Sequence, residues 1–260
     1  MIKSPTVMKT RFFTPRPAVR AGVFAIGALL ALTSLSSTGR AQQQMSKRYP
    51  VGKNVHVELR NISGTIVVES WNKDEIRLSA TIESKGTHVT PRQINDSLVV
   101  DVMSENRGKG DVGDINFKLQ VPVNSSVDLE TKRGNISVAN IRSGLVRARV
   151  SLEGDIELSN ITASHVIAQN VMGNIFFDGE FSRGGSYEFK SNKGDITIRI
   201  PGDSDFRLEA ASPARRIALN DFWNKNFKSQ DGRKMVGDVG DGRSSVSIIN
   251  FSGQITFLRR

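Results

Sequence analysis

Apolar and polar residues alternate along most of the chain beyond residue 41, so that every second side chain is apolar. The pattern is clear in residues 55–59 (VHVEL), 77–82 (RLSATI) and 116–121 (NFKLQV). A period of two is typical of β-strands with one buried face. Beyond residue 41 no window keeps an apolar helical stripe over three turns, and Gly, Asn and Asp interrupt the strands at short intervals. The pattern therefore predicts an all-β protein.

A five-residue motif, with glycine first and isoleucine third, recurs in the centre of the chain. Its central copies begin at Gly134, Gly154, Gly173 and Gly194. Further copies begin at residues 64, 113 and 253, and a second alternating strand follows each central copy by about ten residues. The central spacing of about 20 residues is typical of stacked repeats. We therefore predict a single-domain solenoid of the parallel β-helix or β-roll type, built from strand-turn-strand-turn repeats of this length.

Stacked repeats place equivalent side chains in columns, and a continuous core forms when several repeats stack. The first predicted inward column consists of Ile136, Ile156, Ile175 and Ile196. The second consists of Val138, Leu158, Phe177 and Ile198, and the opposing strands contribute Val146, Val166 and Phe206. The four central glycines are predicted at turns that need a positive φ or a close backbone approach. The Asn or Asp that follows each of them suits the same turn.

The strand sections beyond residue 41 form one domain, residues 46–260, because the same motif occurs in each of them. Residues 46–121 form a less regular β section, and residues 122–211 carry the clear repeats. Residues 212–243 are predicted to be a long basic-aromatic loop, and the final strands occupy residues 244–258.

The segment 1–41 has the pattern of a secretory signal peptide. Five basic residues precede an apolar run at positions 21–37, which ends in small residues. A spanning helix needs about 20 strongly apolar residues, and this run is shorter, so a retained anchor is the weaker alternative. We therefore expect cleavage after Ala41, no permanent membrane span after cleavage, and a location in the periplasm, at the cell surface or outside the cell.

The charge balance changes once this leader is removed. The chain has 36 Lys and Arg against 26 Asp and Glu, and six of the basic residues lie in the leader, which leaves 30 against 26. This near-balance argues against a nucleic-acid partner. The chain has no cysteine, so a packed core rather than disulfides must stabilise it outside the cell.

Three stretches of the sequence resemble a known family. Residues 64–76 contain a strand, Trp71 and an acidic turn, residues 121–129 place Pro122 before the repeats, and the glycine motifs follow in order. Together they resemble the bacterial putative-adhesin family of β-strand repeats, a domain of unknown function. The resemblance covers most of residues 50–258. It implies an elongated β-helix or β-roll at or beyond the cell envelope, and it supplies no catalytic residues to carry over.

Acidic residues in the repeats raise the alternative of a carbohydrate-active β-helix enzyme acting on an extracellular polysaccharide. Asp155 and Asp195 lie two repeats apart, about 10 Å at about 4.8 Å per rung, which is near the carboxyl separation of inverting glycosidases. Their column, however, has the order Asn135, Asp155, Asn174 and Asp195. This order is expected if the column has a structural role at the turns, because alternation of Asn and Asp avoids stacking like charges. The three histidines are isolated, so we expect no catalytic site, no bound metal and no cofactor.

The predicted loop at residues 212–243 combines basic with aromatic residues and is the strongest candidate for a binding site. Its key residues are Arg215, Arg216, Phe222, Trp223 and Phe227. Basic and aromatic side chains together can contact an anionic glycan or a lipid headgroup. The favoured interpretation is instead that the aromatic residues cap the open end of the solenoid. The sequence therefore predicts a non-enzymatic envelope or cell-surface protein with an adhesive, interaction or structural role, whose partner is a surface glycan or an envelope protein.

Overall fold

The computed structural model describes residues 42–213 and 216–260. The leader of residues 1–41, the expected cleavage site after Ala41, and Arg215 lie outside the described residues. The statements made about them above therefore stay predictions. Within the described ranges the regular structure is almost entirely β-strand.

The strands of the first section are β1 (Gln43–Pro50), β2 (His56–Ser63), β3 (Ile66–Trp71), β4 (Glu75–Ile82), β5 (Arg92–Ile94), β6 (Ser97–Asp101) and β7 (Ile115–Pro122). Those of the clear repeats are β8 (Ser126–Arg133), β9 (Ile136–Ala139), β10 (Arg142–Glu153), β11 (Ile156–Met172), β12 (Ile175–Lys193), β13 (Ile196–Ile200) and β14 (Phe206–Ala211). The remaining strands are β15 (Ile217–Ala218), β16 (Lys228–Gln230), β17 (Lys234–Val239), β18 (Ser245–Asn250) and β19 (Ile255–Arg259). A four-residue helix, α1 (Val102–Glu105), and a 3₁₀ turn (Asn220–Phe222) complete the described elements. Neither is long and apolar enough to cross a bilayer.

Alternating burial explains why these segments are strands. In β4, for example, burial changes at every residue, and Ile76, Leu78, Ala80 and Ile82 face the core. Each fully buried Val, Leu or Ile side chain contributes about 1.5–3 kcal/mol. The buried apolar side chains of the described strands form one hydrophobic cluster. The prediction of an all-β fold is confirmed.

The strands pair into one continuous sheet that is folded back on itself, so that it has two rows of strands. Strand β11 belongs to both rows, because residues 156–159 pair with β9 and residues 162–172 pair with β10. The order in the first row is β5-β6-β2-β8-β10-β11-β12-β18-β14-β17-β16. The order in the second row is β1-β4-β7-β3-β9-β11-β12-β13-β19-β15. A strand of the first row and the second-row strand that follows it form one rung.

The rungs depart from chain order at both ends of the stack. The rung of β2 and β3 lies between that of β8 and β9 and that of β6 and β7. At the other end, the rung of β18 and β19 lies between that of β12 and β13 and that of β14 and β15. The central pairs are parallel, whereas β1, β4 and β5 at one end and β16 and β17 at the other pair antiparallel. These outer strands cover the edges of the apolar rungs.

The inward columns of the second row form as expected from the repeat. Their register partners are Ile136, Ile156, Ile175 and Ile196 in one column and Val138, Leu158, Phe177 and Ile198 in the next. In the first row, Val146 and Val166 are partners, and the column continues through Tyr187, Val246 and Leu208. Phe206 lines the opposing row as predicted and is buried in β14, but it lies two residues before this column. Because β18 inserts between β12 and β14 and sets the register of β14, Leu208 takes that place instead.

The segment 212–243, predicted to be a loop, contains strands in its described part. These are β15, β16 and β17, with the 3₁₀ turn between the first two. Strand β17 pairs antiparallel with β14, from Ala211 with Lys234 to Phe206 with Val239. The outer edge of β14 would otherwise leave backbone donors and acceptors without partners, so a returning strand is favoured. The alternation of apolar and polar residues did not indicate β17, because a glycine, Gly237, occupies one of its inward positions.

Candidate functional site at the glycine corner and the aromatic cap

Six glycines form a column at the corner where the first row turns into the second. They are Gly64, Gly134, Gly154, Gly173, Gly194 and Gly253. Their φ angles lie in the left-handed region, between 105° at Gly64 and 158° at Gly253. A β-carbon on any of the last five would overlap the carbonyl oxygen of the glycine in the neighbouring rung. The four glycines predicted at turns all belong to this column, where both the φ and the close backbone approach require glycine.

The residues that follow these glycines form a hydrogen-bonded ladder along the outside of the corner. The backbone N–H of Asp155 donates to Oδ1 of Asn135 at 2.9 Å, and that of Asn174 donates to Oδ1 of Asp155 at 2.6 Å. The N–H of Asp195 donates to Oδ1 of Asn174 at 2.9 Å, and that of Gln254 donates to Oδ1 of Asp195 at 2.8 Å. Either Asn or Asp can accept this bond. Alternation of the two keeps carboxylates from stacking on adjacent rungs.

A second polar column lies inside the corner, three residues before the glycine of its rung, and the sequence analysis missed it. Its polar members are Asn61, Thr131, Asn170, Ser191 and Asn250, and Val150 occupies the position between Thr131 and Asn170. Nδ2 of Asn250 donates to the carbonyl of Gly194 at 2.9 Å, and Nδ2 of Asn61 donates to the carbonyl of Ile115 at 2.9 Å. Buried carbonyl groups need such donors. The available signal was a polar residue in the buried phase of a strand, three residues before a motif glycine.

The carboxylates at the corner form hydrogen bonds between adjacent rungs. Asp155 and Asp195 each accept a backbone N–H from the next rung, and Asn174 lies between them. The groove along this corner has a volume of about 370 Å³, and Arg133, Glu153 and glycine backbone line part of it. In the part of the chain that the structure describes, no three His, Asp or Glu side chains converge to hold a metal ion.

The aromatic residues in the described part of segment 212–243 are two buried phenylalanines and one exposed tryptophan. The ring centroid of Phe222 lies 6.0 Å from that of Phe206 and 6.1 Å from that of Phe257, at the end of the core. Phe227 is also buried, and Trp223 stacks on it with a centroid distance of 5.9 Å. Trp223 keeps 56% of its surface exposed. Phe222 and Phe227 thus cover the end of the core, whereas Trp223 presents its indole to solvent.

Several basic residues near this aromatic cap are neutralised by acidic neighbours. Arg207 donates to both carboxylate oxygens of Asp238, at 2.7 and 3.0 Å. These hydrogen bonds hold the pKa of Asp238 below its ordinary value. Arg243 pairs with Asp205 at 3.1 Å and also with Asp241. The oxygens of Asp238 and Asp241 are therefore engaged by arginines.

Other cations around the cap have no carboxylate partner within the described ranges. They are Arg216, Lys225 and Lys228, all exposed. The backbone carbonyl of Arg216 accepts the N–H of Ile255 at 2.8 Å, which fixes this residue beside β19. The structure thus places Arg216 and Trp223 at the surface and Phe222 and Phe227 inside, so it does not bring the predicted set together as one exposed site.

The buried carboxylate of Asp178, in the second row, accepts hydrogen bonds from two arginines that are distant from it in the chain. Asp178 accepts a hydrogen bond from Nη2 of Arg199 at 2.8 Å and from Nε and Nη2 of Arg260 at 3.0 and 2.8 Å. Burial opposes ionisation of Asp178, but the bonds and charges of the two arginines together outweigh burial. The pKa of Asp178 is therefore lowered. This sequence-distant network was not expected, because the two arginines lie far from Asp178 along the chain.

The match to a family covers most of the chain. The model of the Toastrack family, DUF4097, matches residues 35–257. The chain belongs to this family. The match confirms the family resemblance predicted from the glycine motifs, and it includes the rungs and the aromatic cap of this Toastrack domain. No curated protein matches the chain.

Solved structures are similar to this Toastrack domain at low sequence identity. One, described as a putative cell adhesion protein from Clostridium sporogenes, is 11% identical with a TM-score of 0.52, and the match covers 84% of this chain and 100% of that one. Another, described as a putative adhesin from Bacteroides fragilis, is 13% identical with a TM-score of 0.38, over 84% of this chain and 97% of that one. The first similarity supports the fold described above.

Proposed function

We propose that this Toastrack domain is a non-enzymatic protein of the cell envelope or cell surface that binds a partner through the region around Trp223. The observation that carries the proposal is the exposure of Trp223, at 56% of its surface, beside the buried Phe222 and Phe227. The exposed indole leaves apolar surface in contact with water, which is unfavourable unless a partner covers it. Tyrosine and tryptophan are enriched at binding interfaces for this reason.

The charges around Trp223 indicate the class of partner. Lys225 and Lys228 are exposed, and within the described residues neither has an ion-pair partner. An indole flanked by cations suits a sugar ring that carries acidic groups, or an acidic patch on an envelope protein. A structure with the same fold, described as a putative cell adhesion protein, supports surface interaction in general terms. The proposed location remains the periplasm, the cell surface or the cell exterior.

The alternative of a polysaccharide-acting enzyme finds little support in the corner geometry. Glycosidic cleavage needs two carboxyl groups that face one bond, and each must be free to exchange a proton or attack. Asp155 and Asp195 instead accept backbone N–H groups from neighbouring rungs, at 2.6 and 2.8 Å. We therefore assign them a structural role.

The same ladder supports a finer description of the fold. We infer a β-roll-like solenoid whose repeats, about 20 residues long, each depend on the rungs on either side. Parallel pairing of β8, β10, β11 and β12 in one row and of β9, β11, β12 and β13 in the other supports this description.

A binding test on the purified protein addresses the proposed function. Glycan arrays and whole-cell adhesion would be measured for the parent, for Trp223→Ala and for Trp71→Ala. Trp71 lies in β3 and provides the same substitution away from the cap. We expect specific binding by the parent and by Trp71→Ala, and its loss in Trp223→Ala. Absence of specific binding by the parent, or equal binding by all three proteins, would reject the site.

A further inference from the structure

The outward face of strand β18 carries apolar side chains, whereas the facing positions of its neighbour β12 are polar. Its outward positions, followed into the corner, are Ser245, Ser247, Ile249 and Phe251. Ile249 is 37% exposed and Phe251 is 61% exposed. The register partner of Ile249 in β12 is Lys190, and the residue of β12 beside Phe251 is the exposed Asn192. A strand inside the row thus carries two large apolar side chains on its solvent face.

These two side chains lie in a shallow groove on the first row. The groove has a volume of about 470 Å³, and its lining includes Ala211, Pro213, Arg233 and Lys234 beside Ile249 and Phe251. Its floor is largely apolar, and one side is open to water. A site for a small molecule usually buries most of its ligand. An open groove of this kind is better suited to an extended surface.

The rim of the groove is basic. Nζ of Lys190 lies 5.9 Å from the ring centroid of Phe251. Arg233 and Lys234 line the opposite side. Lys234 pairs with Glu209 at 2.6 Å, but Lys190 and Arg233 have no carboxylate partner in the part of the chain that the structure describes. The apolar strip of Ile249 and Phe251 is therefore edged by cations whose charge is not fully neutralised.

We propose that the strip of Ile249 and Phe251 and its basic rim dock the protein on the surface of an anionic lipid bilayer. Phe251 inserts at the level of the headgroups, and Lys190 and Arg233 lie against lipid phosphates. Shallow apolar insertion and attraction to anionic lipids act together in peripheral binding. The inference rests on the proposed envelope location, but it uses a surface other than that of Trp223.

A second copy of the chain is the competing occupant of the strip, and the charges oppose it. Pairing two such strips around a twofold axis would bring Lys190 and Arg233 of both copies into one interface. Like charges brought together in an interface are repulsive. A phosphate-bearing surface, in contrast, is complementary to both the apolar strip and its rim.

Vesicle co-sedimentation of the purified protein tests the docking surface. The vesicles are phosphatidylcholine with and without phosphatidylglycerol. The variants are Phe251→Ser, the double variant Lys190→Gln with Arg233→Gln, and Leu258→Ser as a control. Leu258 is 39% exposed in β19 of the second row, so its replacement removes a comparable exposed side chain elsewhere. Thermal unfolding confirms that each variant is folded, and any leader is the same in all of them.

We expect the parent and Leu258→Ser to bind the vesicles that contain phosphatidylglycerol more tightly than the neutral ones. Phe251→Ser should weaken this binding at least about tenfold, which is about 1.4 kcal/mol. The double variant should lose the preference for anionic vesicles, and so should the parent at about 1 M salt. Equal binding by Phe251→Ser and the parent, or no anionic preference in the parent, would overturn the proposal.

Two further outcomes separate this surface from its alternatives. A dimer that forms without vesicles and dissociates in Phe251→Ser would assign the strip to a second copy and overturn membrane docking. Trp223→Ala should bind vesicles as the parent does, and a loss as large as that of Phe251→Ser would also overturn the proposal. Loss of cell adhesion in Trp223→Ala with vesicle binding retained would show that the two surfaces act independently.

Discussion

Gly154 packs so closely on Gly134 that a β-carbon on Gly154 would overlap the carbonyl oxygen of Gly134, and the φ of Gly154 is 148°. The contact is to backbone, which cannot move without disturbing both rungs. We therefore expect Gly154→Val to lower the free energy of unfolding by at least about 3 kcal/mol, measured by urea denaturation.

Gly86 provides the matched control for this substitution. A β-carbon there would have no heavy atom within 4 Å, and its φ is not in the left-handed region. Gly86→Val should therefore change the free energy of unfolding by less than about 1 kcal/mol. Equal unfolding midpoints for Gly154→Val and the parent would show that the corner tolerates a side chain.

The buried amide of Asn250 gives a second prediction. Its Nδ2 donates to the carbonyls of Gly194 and Gln254 at 2.9 and 3.3 Å, and its Oδ1 accepts the N–H of Ser252 at 3.1 Å. Asn250→Ala leaves these backbone groups without their partner, which costs about 1–3 kcal/mol. Thermal unfolding measures the loss, with the exposed Asn192→Ala as control. Similar stability of the two variants would mean that water replaces the amide.

The lowered pKa of Asp178 predicts how stability changes in acid. A carboxyl whose pKa is lower in the folded state stabilises the fold above its unfolded pKa of about 3.9, and this contribution is lost as pH falls through the folded pKa. The unfolding free energy of the parent should therefore decrease from about pH 5 downward. Asp178→Asn, which cannot ionise, should be less stable at neutral pH and lose less stability on acidification.

Urea denaturation at a series of pH values checks this prediction. Asp231→Asn is the control, because Asp231 is exposed and has a φ of 51°, which Asn also adopts. It should keep the pH dependence of the parent. If Asp178→Asn also keeps it, the ion network with Arg199 and Arg260 does not contribute to folding stability.

The central repeats could be predicted from the sequence because their signals are local. A glycine, a polar residue and an isoleucine recur in the same order in each repeat, and their even spacing sets the register of Ile136, Ile156 and Ile175. The end rungs could not be predicted in the same way. Their order depends on β2 and β18 pairing with strands distant in the chain, and alternation carries no information on such partners.

At the candidate site, too, local composition could be read from the sequence, whereas the packing of individual side chains could not. The basic-aromatic composition drew attention to residues 212–243, but composition does not tell that Phe222 packs on Phe206 while Trp223 faces solvent. The inner polar column was missed because Asn170 and Asn250 occupy positions that alternation assigns to apolar residues. A polar residue in the buried phase marks a backbone group that needs a partner.

The different environments of neighbouring aromatic residues allow the covering role of the cap to be separated from its proposed binding role. Phe222 is buried between Phe206 and Phe257, so Phe222→Ala should destabilise the protein by about 3–5 kcal/mol. Trp223 is 56% exposed and contacts Phe227 on one side, so Trp223→Ala should cost no more than about 1 kcal/mol. Urea denaturation gives both values. If Trp223→Ala destabilises the fold as strongly as Phe222→Ala, loss of adhesion in that variant would reflect unfolding, and Trp223 would belong to the cap rather than to a binding surface.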